Sequence, residues 1–229
     1  MHQPASLSNP DAHRRVLHTT GLIAASLGAL QLAIGLVQGP PGGFRLELLG
    51  LLAGLAILFG NLRVVSVVRW LACLSLAPAI GALLTPILFT PGGLAQIQLR
   101  LMPGMVAGYY ISLLLTLLIT ALAARQLGRP AVLEARQAAG GKRRDMRIPL
   151  ALGVVLALLS FTLQYRLING EEARQATKMA AEKLGPNYRY FTNAVHISYG
   201  ADTQVNAMVQ VWNESEAFAV PVHWRREKP

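Results

Sequence analysis

The sequence contains little charge and a single cysteine. Only 14% of its 229 residues are Asp, Glu, Lys or Arg, whereas soluble globular domains average about 25%. Between Arg69 and Arg125 the one charged residue is Arg100. The single cysteine, Cys73, excludes a disulfide within the chain and argues against a cysteine-based metal site. Long stretches of this composition are typical of an integral membrane protein.

The common catalytic motifs are also missing. The chain contains no G-x-S-x-G, H-E-x-x-H or C-x-x-C motif and no glycine loop of the phosphate-binding type. The central turns of its apolar segments hold no Asp, Glu, Lys or His, and such residues mark proton and ion pathways in membranes. We therefore expect no catalytic residues, no cofactor and no metal site, and we do not expect an ion-coupled pump.

Five apolar segments are present instead. A helix needs about 18 or more mostly apolar residues to cross a hydrocarbon core of about 30 Å. The second segment is the shortest, with 15 uncharged residues between Glu47 and Arg63, so its flanking charges must reach outward to the headgroups. The sequence predicts an α-helical integral membrane bundle of five transmembrane helices. They cover residues 21–38, 46–62, 70–89, 103–124 and 148–165.

Charge placement predicts the orientation. If five helices alternate from a cytoplasmic segment 1–20, the cytoplasmic parts hold eleven basic residues, and the two opposite loops hold only Arg45 and Arg100. An excess of Lys and Arg is typical of the cytoplasmic side. The sequence therefore predicts a bacterial-type inner-membrane protein with a basic cytoplasmic loop at 125–147 and an extracytoplasmic C-terminus. The eleven are Arg14, Arg15, Arg63, Arg69, Arg125, Arg129, Arg136, Lys142, Arg143, Arg144 and Arg147.

The densest basic run lies just before the fifth segment. The formal net charge of +10 and the sequence pI near 10.5 are compatible with nucleic-acid binding. We instead interpret Lys142, Arg143, Arg144 and Arg147 as topology determinants that contact anionic headgroups, because they lie next to a spanning segment. The expected partner of this run is the lipid bilayer, and we expect no nucleic acid.

Glycines recur at spacings that favour close helix packing. Small residues let two membrane helices approach closely. Residues 50–54 and 104–108 both match G-x-x-x-G, and three glycines of the first segment repeat every seven residues. We interpret them as packing positions inside the bundle, with association between proteins as the alternative. The positions are Gly21, Gly28, Gly35, Gly50, Gly54, Gly104 and Gly108.

Residues 90–104 form an unusual connection between the third and fourth segments. Proline and glycine bracket the amphipathic stretch 94–101, which contains Arg100. One interpretation is a short interfacial helix with Arg100 among the headgroups. The other is a re-entrant element that lines a cavity.

The tail from residue 169 to 229 reads as a small α+β domain. Alanines recur at helical spacing over Glu171–Leu184, after an N-cap at Asn169 and before Gly185. Three runs then alternate apolar and polar residues, near 188–199, 205–212 and 218–225, which predicts antiparallel strands. Pro221 predicts that the third strand lies at an edge. The expected fold is one helix covering the valine face of a three-stranded meander.

The other face of this sheet is mixed in character. Trp, Met and Arg are enriched at protein interfaces, so we expect Met208, Trp212, His223 and Arg225 to bind a partner. The alternative is that Trp212 lies against the bilayer or another strand. His196 and His223 on neighbouring strands could approach a metal, but a third ligand is not evident.

These features favour a function by association. The predicted function is a non-catalytic accessory, assembly or scaffold subunit of an inner membrane, which associates with a membrane-protein partner or a second copy of itself. The alternative is a small transporter or channel component for a neutral solute, which would use the polar faces of the third and fourth segments. A membrane-embedded enzyme is a third and weaker alternative.

Overall fold

The computed structural model describes residues 10–38, 47–142, 144–198 and 203–226. The chain divides into two compact units, Met1–Leu83 with Gly108–Ala157 and Leu84–Ala107 with Leu158–Pro229, called here the first and second units. Within the described ranges there are eight helices and three strands. They are α1 (Pro10–Gln38), α2 (Glu47–Leu58), α3 (Leu62–Phe89), α4 (Gly92–Leu101), α5 (Pro103–Gln126), α6 (Pro130–Ala138), α7 (Arg147–Asn169), α8 (Glu171–Leu184), β1 (Arg189–Ser198), β2 (Thr203–Trp212) and β3 (Ala217–Arg226).

Four helices are long and apolar enough to cross a membrane. They are Ala12–Leu36 within α1 and the whole of α3, α5 and α7. At 1.5 Å per residue they extend about 35–42 Å, which exceeds the hydrocarbon thickness of about 30 Å. In α3, α5 and α7 only 11% of the most apolar stretch is buried inside the protein. The helices are therefore compatible with a multi-pass membrane protein.

The second predicted span is not confirmed. Its helix, α2, has 12 residues and extends about 18 Å, which is too short for the hydrocarbon core. Arg45, predicted in the loop before it, lies outside the described residues. Helix α2 packs along α1 instead: Leu51 lies at Gly28 and Leu58 lies at Gly21. At these contacts the residue numbers increase along α2 while they decrease along α1, so the two helices run antiparallel.

One end of the first unit has a shared apolar core. It joins the start of α1, the end of α2, the start of α3, the end of α5 and the short helix α6. Helix α2 therefore returns the chain to the end of this unit at which α1 begins. The core residues are Leu17, Ile57, Val65, Ala72, Ala123, Leu127 and Val132.

Helix α6 was not predicted from the sequence. It interrupts the basic stretch 125–147 that the sequence analysis treated as a loop. Pro130 stands at its first helical position, where a missing N–H costs nothing and the fixed φ suits a helix. Val132 is the buried residue of α6 and lies in the shared apolar core. Tertiary packing of this one side chain, in addition to the proline, explains why so short a helix forms.

In the second unit the predicted helix and meander are confirmed. Helix α8 spans Glu171–Leu184, and the sheet has the order β1-β2-β3 with both pairs antiparallel. Ala176 and Ala180 are fully buried against Val209, Val211 and Val222. Alanine side chains are short, so helix and sheet can approach closely. The α8 face rich in alanine and the sheet face rich in valine thus form the core of this domain.

The N-cap of α8 differs from the prediction, although the helix begins at Glu171 as expected. Asn169 is the last residue of α7, where its Nδ2 donates a hydrogen bond to the Tyr165 carbonyl oxygen at 2.9 Å. Gly170 is the N-cap of α8, and no side chain caps the helix there. Helices α7 and α8 are therefore separated by a single glycine, and Asn169 is used by the preceding helix.

The strand connections follow local sequence. Between β2 and β3 the Asn213 side chain accepts hydrogen bonds from the backbone N–H groups of Ser215 and Glu216, each at 2.9 Å. Such an Asx turn supplies backbone partners at a tight corner. β3 is an edge strand, as Pro221 required. The predicted β1–β2 turn, together with Tyr199, lies outside the described residues.

Candidate functional site

The candidate site is the sheet face opposite α8. Along β2 the side chains alternate between the valine face and this second face, which carries Met208 and Trp212. The register pairs Met208 with Ala194 on β1 and with Pro221 on β3. The second face therefore runs across all three strands.

Trp212 is not part of an exposed patch. Its exposed fraction is 6%, so Trp212 is buried within the second unit, and partner binding by this residue stays a prediction. A Cβ added to Gly93 of α4 would lie 3.6 Å from Trp212 Nε1 and 3.4 Å from Arg189 Nη1. Leu94, the next residue, is 1% exposed. Helix α4 thus covers the Trp212 end of the second face.

This contact gives a structural role to residues 90–104, which connect the third and fourth apolar segments. Residues 92–101 are helical, as the first interpretation of the sequence required. The α4 backbone at Gly93 lies beside the Trp212 indole, at a distance where an added Cβ would make ordinary van der Waals contact. The alternation along β2 correctly assigned Trp212 to the second face, but it contains no information about what covers that face.

The rest of the second face is open. Met208 is 38% exposed, and Asn206, His223 and Arg225 are exposed as well. The face therefore has a covered half, at Trp212, and an open half, which we define as His196, Asn206, Met208, His223 and Arg225. Three of the four predicted partner-binding residues belong to the open half, whereas Trp212 does not.

The two histidines are not on neighbouring strands. Asn206 on β2 pairs with His196 on one side and with His223 on the other. The sequence-based expectation of adjacent strands is corrected: β2 lies between them, and their backbones are about 9–10 Å apart. Within the described ranges no group of three or more His, Cys, Asp or Glu residues could hold a metal ion.

A polar contact joins α1 to α5 in the first unit. Gln31 is 8% exposed, and its Nε2 donates hydrogen bonds to Thr116 Oγ1 at 2.7 Å and to Ser112 Oγ at 3.3 Å. Thr116 Oγ1 in turn donates to the Ser112 carbonyl oxygen at 3.0 Å. These three polar side chains therefore connect two helices by hydrogen bonds.

The predicted packing glycines are in different surroundings. Added Cβ atoms would lie 2.5 Å from Leu51 N at Gly28 and 2.7 Å from Leu58 Cγ at Gly21, so these glycines stand at the α1–α2 contact. At Gly54 the nearest atoms are backbone atoms of α1, with Ala25 Cα at 2.6 Å. Contacts this short are possible only without a side chain.

Gly50 and Gly104 show no such contact. At Gly50 the nearest atom would be Ile119 Cδ1, at an ordinary 3.5 Å. Gly35 is partly buried and Gly108 is buried. An added Cβ at Gly104 would meet no atom of the described residues within 4 Å. Within the first G-x-x-x-G motif, Gly54 therefore stands at a close helix contact and Gly50 does not.

The basic run lies at the beginning of α7. Lys142, Arg144 and Arg147 are exposed, and Arg143 lies outside the described residues. The Asp145 carboxylate accepts a hydrogen bond from the Arg147 backbone N–H at 2.9 Å, which satisfies a donor in the first turn of α7. The structure thus leaves these charges accessible at the start of an apolar helix.

No protein-family model, curated protein or solved structure matches this chain.

Proposed function

We propose that this protein is a non-catalytic accessory, assembly or scaffold subunit of a bacterial-type inner membrane. Its apolar helices hold it in the bilayer, and its C-terminal domain binds the extramembrane part of a membrane-protein partner or of a second copy. The observation that carries the proposal is the open half of the second face. Met208 is exposed there between two histidines and an arginine, on a sheet whose other face is fully used by α8.

The covered half of the face supports this role. Helix α4 belongs to the connection between two apolar helices, α3 and α5, and it lies against Trp212 in the second unit. A domain of about 60 residues without a disulfide is marginal on its own. Burial of Trp212 under α4 adds a contact from outside the domain's own residues. Met208 remains exposed as a large apolar side chain on the described part of the face.

We further propose that the basic end of the first unit faces the cytoplasm. The shared apolar core brings together the start of α1 and helix α6, so Arg14 and Arg15 lie at the same end as Arg129 and Arg136. The reverse orientation would place all four of these basic residues outside, against the usual excess of Lys and Arg on the cytoplasmic side. From that end α7 crosses the bilayer once more, which makes the C-terminal domain extracytoplasmic.

The test is site-specific crosslinking in intact membranes. A photo-crosslinking amino acid at position 208 should capture a discrete partner that co-purifies stoichiometrically in mild detergent. The same group at position 175 is the control, because Gln175 is exposed on α8, away from the second face. Met208→Arg should reduce recovery of that partner about thirtyfold, the effect of removing an interface hot spot of about 2 kcal/mol, and Gln175→Arg should leave it unchanged.

Two outcomes would contradict the proposal. Equal crosslinking from positions 208 and 175 would mean that the open half has no special role. Solute flux through the isolated protein in liposomes would instead support the alternative, a small transporter or channel component. The Gln31 contact argues against that alternative, because its polar groups are used between helices.

A further inference from the structure

A groove lies between α1 and α5 at the basic end of the first unit. Its volume is about 280 Å³, and it is partly open. Two arginines from different elements line it: Arg15 from α1 and Arg129 from the turn before α6. The other lining residues are Val16, Thr19, Thr20, Ile23, Leu122 and Gln126.

The groove is polar at one end and apolar at the other. Ile23 follows Arg15 by eight residues on α1, a distance of about 12 Å along the helix axis. On α5, Leu122 lies one turn before Gln126, and Arg129 comes three residues later. Both helices contain candidate membrane spans. Ile23 and Leu122 therefore lie toward the hydrocarbon, and the two arginines lie toward the membrane surface.

The polar end is suited to an anion. Both guanidinium groups are exposed, and among the side chains that the structure describes neither has a carboxylate in an ion pair. Guanidinium groups bind phosphate through two parallel hydrogen bonds. The Gln126 amide and the Thr19 hydroxyl are further donors in the same lining. An anion between Arg15 and Arg129 would also offset the repulsion of two like charges.

We propose that this groove binds the headgroup of an anionic phospholipid. The phosphate accepts hydrogen bonds from Arg15 and Arg129, and an acyl chain passes over Ile23 and Leu122. The volume is slightly below the roughly 300–1,000 Å³ of pockets that enclose whole small molecules, so it suits a headgroup whose chains remain in the bilayer. This site is separate from the Lys142–Arg147 run and independent of the proposed partner.

The test measures lipid binding to the full-length protein in detergent. Phosphatidylglycerol is titrated against a phosphatidylcholine background, and bound lipid is counted by native mass spectrometry. Loss of a guanidinium that donates hydrogen bonds directly to the phosphate should change affinity about fivefold or more. Arg15→Gln and Arg129→Gln should each weaken phosphatidylglycerol binding about fivefold, and the double variant about 25-fold.

Arg14→Gln is the matched control. Arg14 is exposed on the same helix and carries the same charge, but it does not line the groove, so this variant should bind as the unchanged protein does. Equal weakening by Arg14→Gln would show unspecific surface attraction and would overturn the proposal. A double variant that keeps its preference for phosphatidylglycerol would also overturn it.

Competition with inorganic phosphate distinguishes binding of a phospholipid headgroup from binding of free phosphate. If millimolar phosphate displaces phosphatidylglycerol completely, the groove binds a free anion and the lipid assignment is wrong.

If the double glutamine variant does not purify as a monodisperse protein, the double variant Arg15→Lys and Arg129→Lys replaces it. Lysine keeps the charge but lacks the planar fork, so phosphatidylglycerol binding should weaken measurably, and unchanged binding would refute the assignment.

Discussion

Gly50 and Gly54 belong to one G-x-x-x-G motif, but substitution by alanine should affect them differently. A Cβ at Gly54 would lie 2.6 Å from Ala25 Cα, in the backbone of α1. An ordinary contact begins near 3.4 Å, so α1 and α2 would have to separate by roughly 1 Å. A Cβ at Gly50 would lie 3.5 Å from Ile119 Cδ1, which already is an ordinary contact.

The expected magnitude follows from these distances. Overpacking of a well-packed contact costs about 1–3 kcal/mol, and the α1 backbone at Ala25 cannot move as the end of a flexible side chain can. For a chain of this size about 1 kcal/mol lowers Tm by roughly 2–4 °C. Gly54→Ala should therefore lower Tm by about 2–12 °C, whereas Gly50→Ala should stay within about 2 °C of the unchanged protein.

The measurement is thermal stability in detergent, followed as the loss of monodisperse protein on size-exclusion chromatography. Gly28→Ala should behave as Gly54→Ala does, because its added Cβ would lie 2.5 Å from Leu51 N. Gly104→Ala is the neutral control, with no described atom within 4 Å of the added Cβ. If Gly50→Ala and Gly54→Ala lower Tm equally, Gly54 does not make the close contact with the α1 backbone at Ala25 from which the difference was derived.

Two further predictions concern the bundle. Gln31→Leu removes two hydrogen bonds to α5, each contributing about 0.6 kcal/mol in a membrane, so Tm should fall by about 2–5 °C. Gln96→Leu on the exposed face of α4 should not change Tm, and a fall above about 10 °C for Gln31→Leu would mean that Gln31 does more than join helices. Reporter fusions after Glu134 and after Lys228 should label opposite sides of the membrane, and labelling on the same side would refute the proposed topology.

The secondary structure of the tail was readable from local patterns. Helix α8 begins and ends where alanine spacing and Gly185 required, and the alternation along β2 correctly separated the two faces of the sheet. These features depend on the period of a helix or a strand, which each segment carries in its own residues. The four long apolar helices were also predictable from the sequence, because the hydrocarbon thickness sets a minimum length for a spanning helix.

Contacts between distant segments were not readable in this way. The covering of Trp212 by α4 joins residues 93 and 212, and the α1–α2 contact distinguishes Gly54 from Gly50 by the atom that each faces. A sequence period shows which face a side chain occupies, but the identity of the neighbour depends on how separate segments pack.

The groove depends on the same kind of contact. Arg15 and Arg129 were assigned to one side of the membrane from the charge asymmetry alone, among eleven basic residues. The sequence by itself determined which segments are apolar, where the basic residues concentrate and which tail residues alternate. Only the tertiary structure decided that α1 and the turn before α6 bring these two arginines to one groove, because side chains more than 100 residues apart are brought together by packing and not by local periodicity.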